Sequence, residues 1–321
     1  MNHLALGAGA EFDRIRDIAR TLGERAGVLG DDCALIPVGD QSIAVSVDLS
    51  VEGVHFRRDW LSAEEIGWRA AAGALSDLAA EGASVIGLLC SVGVPVDTPG
   101  PELDALLAGV GSAVAAVGGT VLGGDLSSAP QWVIDVTVLG QVTRPVTRRG
   151  ALPGDLLWVT GTLGGARAAL VAWEAGVAPG EVSRIAFARP EPRVRAGAWL
   201  AEAGARAMID LSDGLAGDVT HLAAASGVRL TIDLDRLPLA LEIAPAAKRG
   251  GVSPAEFAAA GGEDYELLAA LPPLFGSDDA LAFQRACGLR LTRIGTVEPG
   301  SGVQFLLRGQ PTILKGFDHF G

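Results

Sequence analysis

A chain of 321 residues, 49% hydrophobic and 20% charged, has the composition of a globular protein and the length for two domains with separate cores. A net charge of −13 leaves no basic stripe for phosphates and excludes nucleic acid as a partner, and three widely spaced cysteines (Cys33, Cys90, Cys287) exclude a disulfide framework or a zinc site. No apolar run approaches the roughly 20 residues of a membrane span, and the first residues lack a basic segment ahead of an apolar core, so a cytoplasmic protein with no membrane partner is expected.

In chain order, the first signal is an acidic turn, "VLGDDCALIPVG" (28–39), where Asp31 and Asp32 follow a glycine and precede an apolar run. "SIAVSVDL" (42–49) reads as a strand. "SAEEIGWRAAAGALSDLAAEGA" (62–83) reads as a helix opened by a Ser62/Glu65 capping box and closed at Gly82. "PELDALLAGVGSAVAAVGG" is a second helix, stopped by Gly118 and Gly119. Strands are expected at 120–124 (TVLGG) and 132–142 (WVIDVTVLGQV). Proline, arginine and glycine then interrupt the pattern over 143–155, which sets domains at 1–145 and 146–321. Beyond it come strands at 155–161, 207–212, 228–234, 265–271 and 289–297, with a helix over "GLAGDVTHLAAASG" between the second and third. Helical patterns separate many of the strands, so the class is mixed α and β.

Acidic residues beside glycine or small residues recur: "GDDCAL", "SVDLSVEGVHF", "ALSDLAAEGA", "LGGDLSS", "DLSDGL" and "GGEDYELL". Each has a plain structural reading. Gly-Asp makes turns, Ser212 or Asp213 can cap the following helix, and Asp77 can face solvent on its helix. Asp210, inside the apolar "AMIDLS", fits these readings least, because a buried unpaired carboxylate is costly. Gathered in a cleft between two domains, Asp31, Asp32, Asp48, Asp77, Asp125, Asp210 and Asp213 require cations. Oxygen ligands without cysteine or histidine select Mg²⁺ or Ca²⁺, and Mg²⁺ on carboxylates is the usual companion of polyphosphates. The chain has no G-x-x-x-x-G-K-[ST], its two lysines (Lys248, Lys315) follow no glycine-rich loop, and the protein-kinase motifs are missing.

These motifs, with "TRRGALPGD", "VTGTLGGA", "ASGV" and the terminal "KGFDHF", stand in an order that spans nearly the whole chain. In that order the sequence resembles the thiamine-monophosphate kinases, of the ATP-binding superfamily that includes aminoimidazole ribonucleotide synthetase and selenophosphate synthetase. The resemblance implies a two-domain α/β protein, with an N-terminal mixed sheet and helices that form a homodimer and a C-terminal α/β sandwich. It implies Mg²⁺-dependent transfer of the ATP γ-phosphate to thiamine monophosphate. By position, Asp32, Ser46, Asp48, Asp77, Asp125, Asp210 and Asp213 are the implied metal ligands. Gly124, Asp125, Arg148 and Ser212 are implied nucleotide contacts, and His55, Glu263 and Phe317 substrate contacts. Asp77, Asp213 and Arg148 are the implied catalytic set. The alternatives are another ATP-dependent synthetase of the superfamily, or a catalytically silent nucleotide-binding homologue. The chain departs from the pattern at Val47 and Leu126, where threonine is usual, and at Glu81, where methionine is usual.

Overall fold

The computed structural model describes residues 3–314 and residue 316, so the expected substrate contact Phe317 lies outside the described residues. The first half contributes α1 (Ala10–Leu22), β1 (Ala34–Val38), β2 (Gln41–Val51), α2 (Ala63–Ala80), β3 (Ser84–Val94), α3 (Gly100–Ala116), β4 (Thr120–Ser128) and β5 (Val133–Val142). The second half contributes β6 (Leu156–Thr160), α4 (Gly165–Glu174), α5 (Glu181–Ala188), α6 (Val194–Glu202), β7 (Ala207–Asp210), α7 (Leu215–Ser226) and β8 (Arg229–Asp233). It continues with α8 (Ile243–Arg249), α9 (Pro254–Ala259), β9 (Leu267–Leu271), α10 (Ser277–Cys287), β10 (Leu291–Glu298), β11 (Gly302–Leu307) and β12 (Gln310–Thr312). Two mixed sheets result, ordered β1-β2-β5-β3-β4 and β12-β11-β8-β10-β6-β9-β7, and no strand is shared between them.

Helix α2 joins the two halves. Its capping box forms as the sequence predicts: Glu65 N–H donates to Ser62 Oγ, and Ser62 N–H donates to Glu65 Oε2. Gly82 ends it with φ +68°. The helix packs on β2 and β5, beside α3, and against α6 and β7 of the second half. A helix surrounded on several sides needs small side chains, which accounts for its alanines and for the burial of most of its residues.

The eight expected strands are present, β4 runs further than expected, and β1, β3, β11 and β12 are strands the sequence did not mark. β3, parallel to β4 and antiparallel to β5, did not stand out in the sequence because two register shifts, at Val85/Gly87 and Leu88/Leu89, break its apolar–polar alternation. The segment from Thr120 does not end at a buried Gly124. β4 continues to Ser128 and is exposed along its length, because it is an edge strand that pairs with β3 alone.

Helices α2 and α3 cover one face of the first sheet. The other face presents Ile36, Val47, Leu49 and Leu89 to solvent, at 52, 61, 47 and 39% exposure. These residues fall in register on that face: Ile36 opposes Ile43, and Leu89 opposes Thr137.

Candidate active site

A cleft of about 200 Å³ opens where the two halves meet. It is lined by Val47, Asp48, Ser50 and His55 from β2 and the turn after it, and by Arg69, Gly73 and Asp77 from α2. Asp210 at the end of β7, Ser212 and Asp213 after it, Glu263 and Tyr265 before β9, and Glu11 of α1 complete it. Arg69, Gly73 and Asp77 are spaced four apart, so one face of α2 supplies a cation, a gap and an anion. The gap matters because a Cβ on Gly73 would come within 3.0 Å of Asp48 Oδ2.

Asp77 does not take the plain alternative of facing solvent, since its face of α2 looks into the cleft, where Ser46 Oγ donates to Asp77 Oδ2 at 2.6 Å. Burial first, then Asp210 and Asp32, push its carboxyl well above the ordinary range. Asp210 ends β7 and is buried; desolvation, then Asp32, raise it to about 7. Asp48 is raised by burial and by Glu263. Asp32 is paired: Arg148 Nε and Nη2 donate to its two oxygens at 3.1 and 2.7 Å. Burial alone would lower the Arg148 pKa, but the Asp32 carboxylate holds the guanidinium charged. The Arg148 N–H also donates to Asp31 Oδ1 at 3.0 Å. Asp31 is raised to about 6, by burial and then by Asp32.

Two sets of carboxylates offer oxygens that all lie within 4.8 Å of one another: Asp32, Asp77 and Asp210, and Asp31, Asp32 and Glu81. The first set suits a hard divalent ion. Its ligand atoms are all oxygen, and burial penalises their ionised forms unless a cation is present. Cys33, beside these groups, is a thiol and no nucleophile, because burial and then Asp77 push its pKa far up.

The "GGEDYE" segment carries three acidic groups with different tasks. Glu263 and Tyr265 adopt left-handed φ of 72° and 49°, a costly backbone for non-glycine residues. Hydrogen bonds from Glu263 N–H to Ser212 O (2.7 Å) and from Tyr265 N–H to Leu211 O (2.9 Å) hold them there. "DLSDGL" and "GGEDYE" are therefore neighbours in space, and Gly214 is required at their contact: it has φ +98°, and a Cβ there would meet Gly261 O at 2.6 Å. The Glu263 carboxylate faces the cleft, accepts from Tyr265 Oη at 2.6 Å and pairs with Arg69. Asp264 points away and accepts the Gly164 N–H at 2.9 Å, at the start of α4. Glu266 is buried against Arg193 and Thr160.

Arg69 and Tyr265 were not among the residues expected from sequence. Arg69 is buried, donates to Phe187 O at 2.6 Å and lies 3.8 Å from the Phe187 ring centroid. Its spacing of eight from Asp77, in a helix with no other charge beyond its first turn, was the available signal. His55 lines the cleft and its Nδ1 accepts the Val51 N–H at 3.0 Å. His3 and His221 accept the backbone N–H groups of Leu29 and Gly7, which are structural roles.

Gly124 and Asp125 are not brought to this cleft within one chain. Asp125 is in register with Ser91, Ser91 with Asp135, and Asp135 with Leu49, which places it three strands from β2 on the sheet's open face. That separation is roughly 14 Å at the usual strand spacing. Asp48 and Ser46 lie on the opposite, helix-covered face.

Two mixed sheets bridged by a helix, with carboxylates gathered at the junction, define a recognisable class. Residues 30–142 match the family model of the AIR synthase related protein N-terminal domain, and residues 153–308 match that of its C-terminal domain. Within this class, the chain is 38% identical to thiamine-monophosphate kinase of Mycobacterium tuberculosis over 267 residues, covering 81% of this chain and 80% of that one. It is 34% identical to thiamine-monophosphate kinase of Aquifex aeolicus over 314 residues, covering 97% and 98%. A solved structure described as AaThiL complexed with AMPPCP and TMP superposes with a TM-score of 0.87 at 33% identity, covering 97% of each chain. The chain belongs to the thiamine-monophosphate kinase family.

Proposed function

We propose that this chain transfers the γ-phosphate of ATP to the phosphate of thiamine monophosphate, giving thiamine diphosphate and ADP. One observation carries the reading. Asp48, His55, Asp77, Asp210, Ser212, Asp213 and Glu263, drawn from distant motifs, line a single cleft in a chain whose relatives are thiamine-monophosphate kinases along nearly their full length.

Asp32, Asp77 and Asp210 would hold Mg²⁺, with Asp48 and Asp213 beside them. The chemistry Mg²⁺ supplies when bound is neutralisation of the nucleotide's phosphate charge. The chain's own residues do the rest. Arg148 gives Nε and Nη2 to Asp32, which fixes its orientation beforehand, and so would offer Nη1 to a phosphate oxygen. Glu263, held by Arg69 and Tyr265, presents a negative partner for the cationic thiazolium of the substrate. Oxygen of the substrate phosphate attacks the γ-phosphorus, and the bond to the β-phosphate oxygen breaks as ADP leaves. A phosphate monoester is already ionised near neutral pH, with a second pKa of about 6, so no general base is required. Among the described residues no activated nucleophile adjoins the cleft, which supports direct transfer.

The open sheet face supports a homodimer, and a second copy is the route by which Gly124 and Asp125 reach the nucleotide. The division at 145/146, between the two sheets, and a cytoplasmic setting, in keeping with three free cysteines, belong to the same reading. Among the described residues no helix is long and apolar enough to cross a membrane.

Purified chain incubated with ATP, Mg²⁺ and thiamine monophosphate should yield thiamine diphosphate, lose activity with chelator, and use free thiamine very poorly. ATP turnover without thiamine diphosphate would turn the reading toward another synthetase of the superfamily. Absence of any turnover would turn it toward a silent homologue.

A further inference from the structure

We infer that Asp31, Asp32 and Glu81 form a second site for a hard divalent cation, distinct from the Asp32–Asp77–Asp210 set and joined to it through Asp32. Glu81 lies just past α2, four residues beyond Asp77, and its side chain is wholly buried. Neither carboxylate oxygen has a hydrogen-bond partner among the described residues. The Cys33 backbone N–H lies near enough to favour the anion but outside hydrogen-bond geometry. The side chain instead points at Asp31 and Asp32, with oxygens of the three residues within 4.8 Å of one another.

An unpartnered buried carboxylate aimed at two others is too costly to stand alone. Arg148 supplies one positive charge against three carboxylates; its guanidinium donates to both oxygens of Asp32 and its backbone N–H to Asp31, and none of these donors reaches Glu81. With all three ionised the cluster carries −2, which a divalent ion would neutralise; without one, burial and then Asp31 push the Glu81 carboxyl up to about 10. An all-oxygen set selects Mg²⁺, Mn²⁺ or Ca²⁺ over softer metals.

Such an ion would have a mechanical role. The Glu81 carbonyl accepts the Val146 N–H at 3.2 Å, and Asp31 accepts the Arg148 N–H. An ion held by both side chains would fasten the 146–148 segment between the end of α2 and the 31–32 turn, and so fix where Arg148 stands.

The test is a Mn²⁺ titration of the chelator-stripped, full-length chain without nucleotide or substrate, with free Mn²⁺ read by electron paramagnetic resonance. Wild type should bind one more Mn²⁺ per chain than Glu81→Gln, or bind that ion at least tenfold more tightly. Asp77→Asn should weaken a different ion and leave this one. Glu81→Met and Asp31→Asn should repeat the loss, which keeps the test decisive where Glu81→Gln folds poorly. Equal Mn²⁺ binding by wild type and these variants overturns the site and assigns Glu81 a proton or a water instead. Since no nucleotide is present, this result stands whether or not the chain proves to be the kinase.

Discussion

Asp210→Asn isolates the electrostatic burden of the cleft. In the folded chain this carboxyl is raised from 3.8 to about 7, first by burial and then by Asp32. At 1.36 kcal/mol per tenfold, ionising it in the fold costs roughly 4 kcal/mol more than in the unfolded chain. The sign follows from the direction. A carboxyl with a raised folded pKa binds its proton more tightly when folded, so its contribution is fully present below the unfolded value and is lost as pH rises through the folded one. Between about pH 5 and about pH 8, roughly 2.7 kcal/mol of that contribution disappears. In a protein of this size the loss is on the order of 5 °C in melting temperature.

Asparagine keeps the shape and removes the charge. With chelator present, wild type should therefore lose about 5 °C more than Asp210→Asn as pH rises over that interval. At the upper pH the variant should melt above wild type. Mg²⁺ should restore wild type most at high pH, where the carboxylates are ionised, and should help the variant less. Thermal melts at the two pH values, each with chelator and with Mg²⁺, supply the comparison. Parallel pH dependences of the two proteins in chelator would refute the reasoning, because Asp210 would then carry no charge penalty.

Asp77→Asn and Asp213→Asn should each abolish thiamine diphosphate formation while leaving the far-ultraviolet circular dichroism unchanged; near wild-type turnover in either would remove that residue from the catalytic set. The position of Asp125 gives a mixing experiment. An Asp77→Asn chain and an Asp125→Asn chain, each inactive, should regain about a quarter of wild-type activity when mixed equally and allowed to exchange subunits, because half the dimers would hold one intact site. Continued inactivity in a mixture shown to contain heterodimers would place Asp125 and Asp77 in the same chain's site.

The sequence carried much of the site and less of the fold. Capping residues, glycine stops and β-branched runs marked α2, α3 and most of the strands. The acidic motifs marked the cleft, because carboxylates next to glycine at the ends of apolar runs are costly without a task. Other features needed three dimensions. β3 was hidden because two register shifts within it interrupt the alternation that betrays a strand. Arg69 was hidden because a lone arginine on a helix usually reaches solvent, whereas here Phe187 and Glu263 receive it in the interior. The exposure of β4, and with it the distance of Asp125 from the cleft, depends on strand order, which local patterning does not encode.

The charge distribution explains why such a cleft suits this chemistry. Both substrates of the proposed reaction bring phosphate, yet the protein meets them with an excess of carboxylates. Among the residues lining or flanking the cleft, Arg69 is buried and Arg148 half-buried, and each is already committed, Arg148 to Asp32 and Arg69 to Glu263. Asp48, Asp77 and Asp210 remain without such a partner, and all three have raised pKa values. Metal-free nucleotide would thus meet repulsion in a desolvated site, where it is least screened. A cation-loaded nucleotide meets the opposite field, and its ions relieve the strain that the empty cleft carries. In the proposed reaction the carboxylates would therefore discriminate for the metal complex of ATP over free ATP, through a cost to stability when no cation is bound.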